Sequence, residues 1–215
     1  MTREGEAVVV LPRRMPLAEA ERRVVEHRAW LERHVTRVAA ERERLDARPA
    51  LGEGRVLSVA GEPCRVSTVD AGAGRPPRGQ VEVVPGGAVV RLGHDGRDTA
   101  ELLEPWLRER ARDVITESVV VRAPELDVRP GRISIRDQRS RWASASASGA
   151  LSFSWRLVLA PPFVLDSVVI HELAHLHIRN HSSRFWALVE HHAPHTPEAR
   201  RWLRDHATEL RAALD

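Results

Sequence analysis

Residues 168–175 read Val-Val-Ile-His-Glu-Leu-Ala-His, an H-E-x-x-H pattern. On a helix turning about 100° per residue, His171 and His175 project from one face, one turn apart. Two imidazoles so placed can share one Zn²⁺ at roughly 2.0–2.1 Å. Glu172 stands on the flank of that face, where its carboxylate can take a proton from a metal-bound water whose pKa the ion has brought to about 7. The chemistry implied is metal-assisted hydrolysis with Glu172 as the general base. Val168, Val169, Ile170, Leu173 and Leu176 make the helix half-buried, which suits a rigid metal site.

A hydrolytic zinc site needs a third protein ligand and an open fourth position. His181 is the natural candidate. It lies about 600° beyond His175 on a continuous helix, on the wrong side, so it reaches the ion only if the helix stops first. Arg179-Asn180 offers that stop, because Asn tolerates the left-handed backbone of a helix end. Glu190, His191, His192 and His195 are the rivals for third ligand. His177 points away from the pair by helical phase and is expected in solvent or behind the ligands.

Other residues bear on the same chemistry. Arg129, Arg132, Arg136, Arg139 and Arg141 form a basic run opposed only by Asp137. Arg129 and Arg132 read as the solvent side of a hairpin. Arg139 and Arg141 are candidate substrate contacts, able to hold a carboxylate or phosphate through paired N–H groups. Trp142 and Trp155 are candidate stacking contacts near the cleft, and Phe185-Trp186 is expected to pack beneath the site, with core packing the default for all six tryptophans. The chain has no tyrosine, so a second electrophile for the developing oxyanion would be a histidine, an arginine or Asn180. Cys64 reads as a small buried residue.

The elements that must position these residues can be read from periodicity. A strand is expected at 7–11 and a long helix from Pro16 to about Leu45. Short β-branched runs over 54–92, broken by Gly and Pro, predict a small antiparallel sheet, with a loop at 71–79. Asp98 or Thr99 can cap a helix reaching about Val121. Residues 132–136 and 151–159 alternate, so 132–159 reads as a hairpin or three-stranded meander. Pro161-Pro162 opens the motif helix, Ser182 or Ser183 the next, and Thr196-Pro197-Glu198 the last. The fold class is α+β in two parts: a helix with a small sheet over 1–95, and the metal-binding catalytic part over 96–215.

Composition sets outer limits. At 215 residues, 42% apolar and 29% charged, the chain can bury a core and does not read as disordered. One cysteine excludes an internal disulfide framework. All 33 basic side chains are arginine; with neither lysine nor tyrosine to titrate, a net charge of +3 coexists with a pI near 10.5. That pI is therefore no argument for nucleic-acid binding. No apolar run approaches the roughly 18 residues that span a bilayer. No signal peptide is read at the start, so a cytoplasmic location without membrane association is expected.

HELAHLHIRNHSSRFW, preceded by LSFSWRLVLAPPFVLDSVVI and RSRWASAS, resembles the YgjP-like metallopeptidase domain family, with more distant similarity to SprT and WLM domains. The likeness runs along nearly the whole chain and is strongest from Arg136 to Trp186. It implies a zincin-like fold, one Zn²⁺ per chain on His171, His175 and His181, and Glu172 as general base; the substrate does not come with the resemblance, and a peptide or protein is the expected one. Where the family has a glycine and a cysteine, this chain has Ala143 and Ala145. Two other readings stay open: a phosphohydrolase acting on nucleotides through Arg139 and Arg141, and a nucleic-acid-associated protein whose structural zinc is closed by Glu190 or His195.

Overall fold

A computed structural model describes residues 15–48, 50–70, 79–93, 96–138 and 140–215. The expected strand at 7–11, most of the 71–79 loop and Arg139 lie outside these residues. The chain forms two compact units, Met1–Arg48 and Pro49–Asp215. The boundary expected near residue 95 thus falls inside the second unit.

In the first unit the single helix expected from Pro16 is two, α1 (Leu17–Glu26) and α2 (Arg28–Asp46). The break is at His27, at φ −102° and ψ 10°, after the β-branched pair Val24-Val25, which fits a helix poorly. Exposed i,i+4 pairs, Arg23 with Glu19 and Arg28 with Glu32, support the two helices.

The second unit opens with a four-stranded sheet of β1 (Glu53–Val59), β2 (Glu62–Asp70), β3 (Gln80–Val84) and β4 (Gly87–Leu92). Its order is β1-β2-β4-β3. The two hairpins are antiparallel as expected, but they abut through β2 and β4, which run parallel. Leu57, Val59, Cys64, Val66, Ala88 and Val90 alternate onto one buried face, while Val56 and Val83 face away. The β1–β2 turn, Ala60-Gly61, has positive φ at both positions, as a two-residue hairpin turn requires. It packs against the start of the motif helix: a Cβ on Gly61 would lie 2.7 Å from the Pro162 ring.

Helix α3 (Thr99–Glu125) is the long central element. Asp98 and Glu101 form a reciprocal capping box, with the Glu101 N–H donating to Asp98 at 2.8 Å and the Asp98 N–H to Glu101 at 3.0 Å. Leu103, Leu107, Ala111, Ile115, Val119 and Ala123 recur every four residues as its buried stripe. Each of the larger ones, fully buried, contributes about 1.5–3 kcal/mol.

A second sheet holds β5 (Ile133–Arg136), β6 (Ala143–Ala145) and β7 (Leu151–Ser154) in the order β5-β7-β6. It is neither a simple hairpin nor a meander: β7 lies in the middle, parallel to β5 and antiparallel to β6. The strand expected to run on to residue 159 stops at Ser154, whose hydroxyl accepts the Arg156 N–H and starts a 3₁₀ helix, Trp155–Leu159. Trp155, Leu157, Val158 and Leu159 are all buried there. Four helices complete the unit, α4 (Pro162–Ala174), α5 (Ser183–His192), α6 (Thr196–Asp205) and α7 (Ala207–Arg211). One continuous apolar core joins both sheets, α3 and these helices. Arg122 of α3 holds α4 through two hydrogen bonds to Asp166, at 2.9 and 2.8 Å. Among the described residues no helix is long and apolar enough to cross a membrane.

Candidate metal centre

Helix α4 is apolar on nearly every side, with Val164, Leu165, Val169, Ile170, Leu173 and Ala174 buried. It fixes His171 on its last turn and His175 at its C-cap. The helix ends at Ala174, earlier than the expected stop at Arg179-Asn180. Its terminal carbonyls are taken up in a tight turn: Leu176 donates to Leu173, and His177 and Ile178 both donate to Ala174. Asn180 does not have the left-handed backbone; among the described non-glycine residues only Ala60 and Asp127 do. The early stop brings His181 back over the pair.

One ring nitrogen from each of His171, His175 and His181 lies within 4.8 Å of the other two. The Nε2 atoms of His171 and His181 are 3.1 Å apart. Two nitrogens each about 2.05 Å from one tetrahedral ion would stand about 3.3 Å apart, so the spacing fits a shared cation. The tautomers fit as well. A carbonyl only accepts, so His175 Nδ1–H donates to the Ile178 oxygen at 3.0 Å and leaves Nε2 with a free lone pair. Burial, and then the neighbouring His175, His181 and Arg200, push the His171 pKa down to about 3. Burial is also the main cause holding His175 below the ordinary histidine value. Both rings are therefore neutral near pH 7, the state a metal requires. Among the described residues no fourth His, Cys, Asp or Glu joins the group.

Glu172 is buried, next in sequence to His171. Burial raises its pKa to about 7, against the opposing pull of the Ala145 N–H and the positive charge of Arg141. That N–H comes from the free edge of β6. Trp142 C=O accepts from Ser154, and Ser146 N–H donates to Ala150, so the even-numbered residues face β7. By the two-residue period, Ala143 and Ala145 turn their backbone groups to the open edge, toward the site.

Phe185 is fully buried, and its ring centroid lies 4.9, 4.5 and 4.9 Å from those of His171, His175 and His181. Trp186 stacks on His181 at 5.6 Å. These two form the floor expected from the sequence. Of the other residues singled out there, Trp142 is half-buried beside the site, and Arg141 is exposed with its charge acting on Glu172. Trp155 is a correction: at 0% exposure, with the Arg156 guanidinium 4.4 Å from its ring centroid, it is core and offers no exposed surface. His177 Nε2–H donates to the Leu126 carbonyl at 2.7 Å, which ties the turn to α3. His191 and His192 pack edge to face on each other, and His195 bonds Glu198 at 3.1 Å, so neither set is drawn into the cluster.

The helix expected from Thr196-Pro197-Glu198 is α6, but sequence reasoning missed its place at the site. Thr196, Ala199, Arg200 and Leu203, spaced i, i+3, i+4 and i+7, face a cavity of about 220 Å³ that opens beside His171 and Glu172. That spacing was visible as a helical face, but nothing in it named the neighbour. A larger apolar groove, about 430 Å³, lies between α3 and the start of α4 near Val121 and Phe163 and contains none of the three histidines.

A helix bearing two of three converging imidazoles, with a buried carboxylate beside them and a short sheet edge alongside, defines a metallohydrolase centre. The chain matches the YgjP-like metallopeptidase domain over residues 1–206 and belongs to that family, which makes it a metallopeptidase by class. Among solved structures it is similar to the metallopeptidase zymogen of Methanocaldococcus jannaschii jannalysin, at 19% identity over 45% of this chain and 96% of that one, with a TM-score of 0.38. It is also similar to the zymogen of Pyrococcus abyssi abylysin, at 24% identity over 44% and 92%, with a TM-score of 0.35. No curated protein sequence matches the chain significantly.

Proposed function

We propose that the protein is a zinc peptidase in which His171, His175 and His181 hold the ion and Glu172 moves the proton. A Zn²⁺ held there would polarise the scissile carbonyl and bring the pKa of a coordinated water to about 7. Glu172 accepts the proton of the attacking water on a carboxylate oxygen and passes it to the leaving amine nitrogen. Burial holds its carboxyl above the ordinary carboxylate range in the metal-free site, which favours taking up the proton. The Ala145 N–H holds the carboxylate in place meanwhile. An extended peptide can add to the free edge of β6 through the N–H and C=O of Ala143, which lays its backbone across the site.

The observation that carries this reading is the convergence of three imidazoles beside a buried carboxylate, with no fourth side-chain ligand among the described residues. A structural zinc would need that fourth ligand. The test is cleavage of a peptide library by the zinc-loaded protein and by Glu172→Gln. Cleavage by the first, reduced about 10²–10⁴-fold in the second, is the expected outcome. A Glu172→Gln protein as active as wild type, or a zinc-loaded wild type that cuts no peptide, would contradict it.

A further inference from the structure

The cavity beside the metal centre has the composition of a side-chain subsite. Its walls are Trp142 before β6, Val168 of α4, and Ala199 and Leu203 of α6. Ala199 is a small residue on that wall, at 1% exposure, so a larger side chain there would take up part of the space. Two hydroxyls line it as well, but both are already satisfied. Thr196 Oγ1 donates to the Ala193 carbonyl at 2.7 Å, so the Ser167 hydroxyl donates to Thr196 Oγ1 at 3.1 Å. An apolar group entering the cavity therefore strands no polar partner. His171 and Glu172 stand among the lining residues, so the cavity borders the histidine cluster and the buried carboxylate.

Arg200 sits at the rim. Its guanidinium lies 4.4 Å from the Trp186 ring centroid, and among the described residues it makes no hydrogen bond or ion pair. Stacking holds the plane while its N–H donors stay available to a main-chain carbonyl of a bound peptide. An apolar cavity of about 150 Å³ is large enough for benzene. The space here, about 220 Å³ and open on one side, admits a leucine, methionine or phenylalanine side chain.

We propose that this cavity selects the substrate: it takes one apolar side chain from a residue flanking the scissile bond, and Ala199 and Leu203 set the size it accepts. The inference rests on the peptidase reading and names the class of peptide that the same site takes.

The test uses the zinc-loaded full chain and a series of N-acyl amino-acid hydroxamates with glycine, alanine, leucine and phenylalanine side chains. Their affinities are measured by calorimetry, alongside cleavage of a peptide library randomised on both sides of the bond. A methylene in an apolar pocket changes selectivity about tenfold or more, so the leucine probe should bind at least about thirtyfold tighter than glycine. Ala199→Leu fills the cavity and should bring that ratio to within about threefold, whereas Leu203→Ala enlarges it and should move the optimum to phenylalanine. Zinc content and thermal midpoint verify each variant's fold, and the two variants push in opposite directions, so loss of either still leaves a readout. Equal affinity for all side chains in the wild type, or a ratio unmoved by both variants, overturns the subsite. Selective hydroxamate binding without peptide cleavage would sink the peptidase reading alone, and cleavage without side-chain preference would sink the subsite alone.

Discussion

Phe185→Leu is the perturbation that most directly links the core to the metal centre. The ring is fully buried and makes close contact with all three imidazoles and with Trp186, whose centroid is 5.2 Å away. Leucine keeps most of the apolar burial but leaves a gap where the ring edge was, about 1 kcal/mol. It also removes the ring contacts, which together contribute about 1–2 kcal/mol beyond area. The sum is about 2–3 kcal/mol, which for a chain of 215 residues is a thermal midpoint lowered by about 5–10 °C. Calorimetry in excess chelator reads this on the metal-free protein. The same change frees the ligand rings to tilt, and loss of such support costs about 10–100-fold in metal affinity. A competitive titration against a chromophoric chelator measures that second effect. A midpoint within about 1 °C of wild type together with unchanged zinc affinity would refute the idea that the aromatic floor organises the site.

Asp166→Ala removes the α4 partner of Arg122. Both side chains are about 30% exposed, so the expected loss lies between a surface and a buried pair, about 1–2 kcal/mol by urea unfolding, with a smaller effect if Glu125 alone suffices to hold the guanidinium. The metal-free protein should show two opposed pH dependences. The Glu172 pKa is raised from 4.5 to about 7 on folding, so the stability it confers is full below pH 4.5 and is lost as pH rises through 7. Glu172→Gln should therefore be more stable than wild type at pH 8, by about 3 kcal/mol, and close to it at pH 4.5. For His171 the pKa falls from 6.5 to about 3, so stability is full above 6.5 and is lost as pH drops toward 3. His171→Asn should flatten that acid limb in chelator-treated samples followed by urea midpoint against pH. Arg200→Ala should raise KM for peptides about tenfold or more while leaving kcat near wild type, because it removes a charge-assisted contact to the bound backbone. A fall in kcat with KM unchanged would place Arg200 in the chemical step instead.

The metal helix was legible because i,i+4 spacing converts directly into a shared face, and His181 because a third ligand required an early helix stop. The place of that stop was not legible. It depends on Ile178 and Ala174 carbonyls finding partners in a turn, and the Asn at position 180 was a misleading local signal. Trp155 was misread for a related reason. LSFSWRLVL alternates well enough for a strand, but Ser154 caps a 3₁₀ helix and the following run is buried on all sides. The β5-β7-β6 order and the parallel β2–β4 pair involve long-range pairing that local pattern does not encode. The same holds for Arg200 and Ala199: their helix could be read, but not that it borders Glu172.

Zinc content by elemental mass spectrometry on wild type, His181→Ala and Glu172→Gln tests the three-histidine site most directly. About one zinc per wild-type chain, lost in His181→Ala and kept in Glu172→Gln, is the expected pattern. A wild-type protein prepared with zinc present that holds none, or a His181→Ala variant that keeps a full equivalent, would contradict it.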